Sequence, residues 1–140
     1  MLEISGTQRP EKTESGAEIP ALDDHDPPID LVCLGRQCQG DPGLEEELLG
    51  LFRRLAAADA ARLSDPRIRL AGKADIAHKL RGSAVTVGAR RVARAAEAVE
   101  ALANGAAGGS EEESTAVSLA IAELQAAVAE AVAMIERLGR

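Results

Sequence analysis

The sequence predicts an all-α protein: an antiparallel up-down four-helix bundle with a short extra helix at its N-terminal side. Three observations predict it. Apolar residues recur with helical period through four long stretches. Segments rich in alanine, arginine and glutamate favour helix, and β-branched runs long enough for strands are absent. Hydrophobic residues make up 46% of the 140-residue chain but aromatics only 1%, with Phe52 the one example. The core must therefore be leucine, valine, isoleucine and alanine, a set that suits closely packed helices. The length is enough for one domain.

In chain order, residues 1–27 hold four glutamates, three aspartates and three prolines among few large apolar residues. Such a composition cannot bury enough surface to order itself, and it reads as a flexible acidic tail. Asp23-Asp24-His25-Asp26 resembles a metal site only superficially; without a scaffold it is a solvated acidic run, and no metal site is expected. The bundle is assigned to residues 28–140. A short helix is expected over about 29–39, with Ile29, Leu31, Val32, Leu34 and Cys38 as its apolar residues and Gly40 as its stop. Asp41-Pro42 supplies an N-cap and a first-turn proline for a second helix reaching about Ser64. In it Leu44, Leu48, Leu51 and Leu55 step at bundle spacing and are expected to face the core. Leu49 and Phe52 lie beside that seam. They either close a core edge or form a docking patch, and docking is favoured for at least one, because a partner interface needs an apolar centre.

Ser64-Asp65-Pro66 breaks the chain. A third helix starts between Ile68 and Lys73 and closes at Gly88. A fourth, over about 89–104, repeats Val92, Ala96, Val99 and Ala103, with Leu102 alongside. Asn104 to Gly109 is a connection. Ser110 with Glu113 forms a capping box, and three glutamates in the first turn favour the helix dipole. The last helix carries Val117, Ile121, Leu124, Val128, Ala131, Ile135 and Leu138, the most sustained repeat in the chain and a seam for a bundle.

Cys33 and Cys38 point in different directions on a helix, so no disulfide is expected, and two cysteines make no zinc pattern. The N-terminus lacks a signal core, and no long apolar stretch is expected to span a membrane. A cytoplasmic protein follows. The net charge of −7 argues against nucleic acid as a main partner. The charge is unevenly placed. The window 67–94 carries +7, from Arg67, Arg69, Lys73, Lys79, Arg81, Arg90, Arg91 and Arg94 against Asp75, so the remainder carries −14. This basic island suits an acidic partner surface.

The chemistry concentrates in residues 75–91. At about 100° per residue, Ile76, Leu80, Ala84 and Val87 share the core side of the third helix. His78 falls opposite, on a face with little bulk made by Ala71, Ala74, Arg81, Gly82 and Val85. Glycine inside a helix costs about 0.5–1 kcal/mol relative to alanine, so Gly82, one turn after the histidine, signals close approach by something else. An imidazole near neutrality is a nucleophile, and arginine geometry suits phosphate oxygens. His78 with Arg81 and Gly82 thus forms a site for a negatively charged group such as a phosphoryl carried on the ring. Ala74, Val85, Leu49 and Phe52 are the apolar docking candidates, with Lys79 a longer-range charge.

Ala77-His78-Lys79-Leu80-Arg81-Gly82-Ser83-Ala84, followed by Val87-Gly88-Ala89, resembles the signature of histidine-containing phosphotransfer (HPt) domains, more weakly extended over about 28–138. The resemblance implies a four-helix bundle that relays phosphate between receiver-domain aspartates. It implies His78 as phospho-acceptor and Gly82 and Gly88 as the signature glycines. Arg81 stands where the family has lysine, a departure that keeps the charge. The implied partners are response-regulator receiver domains and a hybrid histidine kinase. The chain would be a phosphocarrier, not an enzyme, with no cofactor of its own and magnesium in the partner receiver. No glycine-rich phosphate loop is present to take phosphate from ATP. A monomer is expected. The alternative is a helical adaptor that binds an acidic partner through the basic face at 67–94 without phosphate chemistry. A phosphatase-type enzyme is disfavoured, because no second acid–base group is visible near the motif.

Overall fold

The computed structural model describes residues 26–139 except residue 107. The acidic tail and the run at 23–25 lie outside the described residues. Among those described, the fold is five helices and no strand: α1 (Leu31–Gln37), α2 (Pro42–Arg62), α3 (Leu70–Val87), α4 (Arg90–Gly105) and α5 (Glu111–Leu138). Each of the four long helices packs on the next in the chain, and α5 returns to α2. The short α1 lies on α3.

The helix starts follow from their caps. The side chains of Asp30 and Asp41 accept backbone N–H bonds at the heads of α1 and α2, and Pro42 occupies the first turn of α2. Ser110 and Glu113 satisfy each other's backbone donors at the head of α5. Gly88 closes α3 in the left-handed region, φ 79°. A Cβ there would also stand 2.8 Å from the Asp30 carbonyl oxygen. Only glycine lets α1 approach this turn, where the Asp30 N–H donates to the Gly88 carbonyl at 2.8 Å.

Arg90, just after that turn, donates to Asp30 at 2.8 Å and to Asp26 at 3.1 Å. The Cys33 backbone N–H, with Arg90 nearby, holds the Asp30 carboxyl below its usual range despite partial burial. Gln125 of α5 donates to the Ala60 carbonyl and the Ser64 hydroxyl, tying α5 to the end of α2. Both cysteines are free. Burial, with Glu45 and Asp41 adding to it, pushes the Cys38 thiol up, so it stays a protonated core residue.

The core is one apolar cluster, and no buried residue among those described is polar or charged. It corrects several expectations. In α1, Leu31 and Val32 are exposed while Leu34 is buried, as is Ile29 just before the helix. In α2 the buried line is Leu49, Phe52, Ala56 and Ala60, leading to Leu63. The predicted seam is the outer one: Leu44, Leu51 and Leu55 are exposed and Leu48 is half-buried. Leu102 and Leu138 are likewise exposed. The α5 seam is buried from Val117 through Ile135. Contrary to the sequence expectation, α5 is long and apolar enough by composition to cross a membrane. Its seam is instead packed against α2 and α4.

Candidate functional site

Helix α3 carries the site. Ile76, Ala77, Leu80, Ala84 and Val87 fasten its inner side to the core. That anchoring turns the opposite line, His78, Gly82 and Val85, outward. The His78 side chain is 64% exposed. A Cβ added at Gly82 would meet nothing within 4 Å, so the glycine leaves open space beside the imidazole. None of the described residues approaches Gly82 to account for its lack of a side chain.

The ring has a partner on the neighbouring helix. Its Nδ1 lies 3.0 Å from Glu100 Oε2, across the contact between α3 and α4. An ionised carboxylate can only accept, so Nδ1 carries the hydrogen and donates to it. With the hydrogen on Nδ1, the nitrogen left to act as a nucleophile is Nε2. Glu100 was missed in the sequence, where no acid–base group stood near the motif. The signal available was only that Glu100 lies one residue past Val99, on the edge of the α4 core stripe.

The other candidates fall into two groups. Arg81 lies about 60° round the helix from His78, toward α4, and is half-buried. Lys79 is exposed on the side toward α2, and Val85 is exposed on the His78 line. These remain at the surface near the imidazole. Ala74, Leu49 and Phe52 do not. Each is buried, Phe52 to 2% exposure, with Leu49 and Phe52 at the floors of two separate surface grooves. Ala74 lies in the first half of α3, and Leu49 and Phe52 are on the inner line of α2.

The basic window also divides. Arg90 is engaged by Asp26 and Asp30, and Arg67 by Asp65. Arg90 is therefore a strut between α1 and α4, which removes it from any common basic docking face. No group of three or more potential metal ligands occurs among the described residues. A groove of about 860 Å³ between α1, α2 and the end of α5 includes no residue of α3 or α4, so it is separate from His78.

A family model described as the Hpt domain matches residues 45–134, well over half of the chain and including His78, Arg81, Gly82 and Glu100. No curated protein and no solved structure gives a significant match.

Proposed function

The chain belongs to the Hpt-domain family, and from that premise we propose that His78 accepts a phosphoryl group from one receiver-domain aspartate and passes it to another. The family works in phosphorelay signalling, as phosphocarriers that interact with receiver domains and histidine kinases. The observation that carries the residue assignment is the exposed His78 ring, steered through Nδ1 by Glu100 and bordered by the open space at Gly82.

The step balances on this chain's own groups. The Nε2 lone pair attacks phosphorus in line as the bond to the aspartyl oxygen breaks, and the partner's carboxylate leaves with that electron pair. No proton has to move. The ring keeps its Nδ1–H, and its new positive charge faces the Glu100 carboxylate. Arg81, in place of the family lysine, balances the phosphoryl oxygens, and Gly82 admits the partner's loops. Transfer onward is the same step reversed on a second receiver. Magnesium comes with the receiver, and this chain contributes the nucleophile and the cation. We read the four long helices as running up and down in turn, with α1 as the added element, because each packs on its neighbour and α5 closes on α2. The reading places the protein in the cytoplasm beside its receivers, as a monomer.

The test is a receiver domain charged with labelled acetyl phosphate and mixed with this protein. Label is expected on the wild type and absent from His78→Gln; label that survives the substitution refutes the assignment. Glu100→Ala is expected to slow transfer on the order of 10-fold, the scale for losing a group that orients an imidazole. Glu100→Gln, whose side-chain oxygen can still accept from Nδ1–H, should recover much of the rate. Equal rates for all three proteins would remove Glu100 from the mechanism.

A further inference from the structure

The groove of about 860 Å³ between α1, α2 and the end of α5 has no part in the His78 chemistry. Its floor is apolar: Leu34, Leu49 and Ile135 are buried beneath it. Leu31 and Leu138 stand exposed at its edges. Its rim is acidic, with Glu45, Glu46 and Glu136 against Arg53. An apolar recess edged by exposed leucines and ringed by charge has the anatomy of an interface, an apolar centre inside a polar rim. We propose that this groove receives a cationic amphipathic helix of a partner protein, laid between α2 and α5, so that the partner is held while His78 stays open to a receiver.

Length, a glycine and charge select that occupant. The part of α2 that lines the groove runs from Pro42 to Arg53, about 16 Å or three turns. A helix of that length gathers apolar side chains at three- and four-residue spacing into one ridge, and such a ridge fits a groove. Gly50 lies within α2 and lines the same groove. A Cβ there would meet only the end of the Arg54 side chain, at an ordinary contact distance of 3.6 Å. The described residues therefore do not call for glycine at this position, and glycine is unfavourable inside a helix. A partner helix crossing α2 at Gly50 would call for it, because the missing side chain lets two backbones come close. Three carboxylates against one guanidinium on the rim favour a cationic partner. Charge also disfavours the two other candidate occupants. Residues 1–25 carry six acids against two cations, and a second copy would set one acidic rim on another.

The probe is a fluorescein-labelled synthetic peptide of about 14 residues, four helical turns, with leucine at every third or fourth position and lysine elsewhere. Its binding to the full chain is followed by anisotropy at about 0.15 M salt. Saturable one-to-one binding is expected. Gly50→Leu fills the groove without changing charge, and should weaken binding on the order of 10-fold. Its Tm should equal or exceed that of the wild type, because leucine is the better helix former. Leu138→Gln should weaken binding several-fold. So should Glu46→Lys, whereas Glu112→Lys, the same charge change in the exposed first turn of α5, should do much less. A wild type that does not bind the probe overturns the proposal. Equal losses for the two lysine variants, or unchanged binding by Gly50→Leu and Leu138→Gln, overturn it too, since the peptide then follows net charge alone. So does a wild-type dimer, seen by light scattering, that Gly50→Leu dissociates; the groove would then hold a second copy. The clause about His78 rests on the phosphorelay reading and has its own measurement: transfer from a receiver should keep the same KM with the probe saturating. A raised KM overturns the separation of the two surfaces. A wild type that no receiver charges defeats the relay reading and leaves the peptide result standing.

Discussion

Helices α2 and α5 carry apolar rows of the same kind, and the structure uses them oppositely. In α5 the row from Val117 to Ile135 is buried. In α2 the leucine row faces out, and a line that mixes Leu49 and Phe52 with Ala56, Ala60 and Leu63 faces in. Bulk and spacing do not separate the two cases. What separates them is how each row continues. Extended by the same steps, the leucine row of α2 reaches Ala58 and then Arg62, which ends its use as a core line. The inner line runs from Leu49 to Leu63 without a charge. A helix of 21 residues must bury a face along most of its length, so the uninterrupted line wins even though two of its members are small. Alanine at those positions also lets α5 approach closely enough for Gln125 to reach the Ala60 carbonyl at 2.8 Å.

Mutations can sharpen that contrast or break it. The largest effect is expected at Phe52→Ala, which empties the centre of the inner line and should cost about 3–5 kcal/mol. Leu124→Ala in the α5 seam should follow at about 2–5 kcal/mol. Ser110→Ala removes one half of the α5 capping box and should cost about 1 kcal/mol. Leu51→Ala should stay within about 0.5 kcal/mol, as exposed positions do. Urea unfolding with a common slope measures all four. A Leu51→Ala loss comparable to that of Phe52→Ala would mean the leucine row is buried after all, against the fold described above.

The contrast extends to the site. His78, Arg81, Gly82 and Val85 were legible in the sequence because they sit within two turns of one helix, where an angle of about 100° per residue fixes their relative positions. Glu100 was not legible. It meets His78 only because α3 and α4 pack together, and no local pattern predicts which residue of α4 lands opposite the ring. The same limit left Leu49 and Phe52 open between core edge and docking patch, and did not show that Ala74 is buried. Periodicity finds the apolar faces of a helix but does not rank two of them on one helix, and it does not say which positions of α3 a neighbour covers.

Helix positions, caps and stops were determined by the chain alone, because Asp41-Pro42, the Ser110–Glu113 box and Gly88 act within a turn of where they stand. So was the outward aim of His78, since the residues that pull α3 inward are on the same helix. Tertiary packing decided which side of α2 is core, which leucines stay exposed, and which acid meets the imidazole. Those outcomes depend on competition between faces and on contacts between residues far apart in the chain, which come into being only when the helices meet.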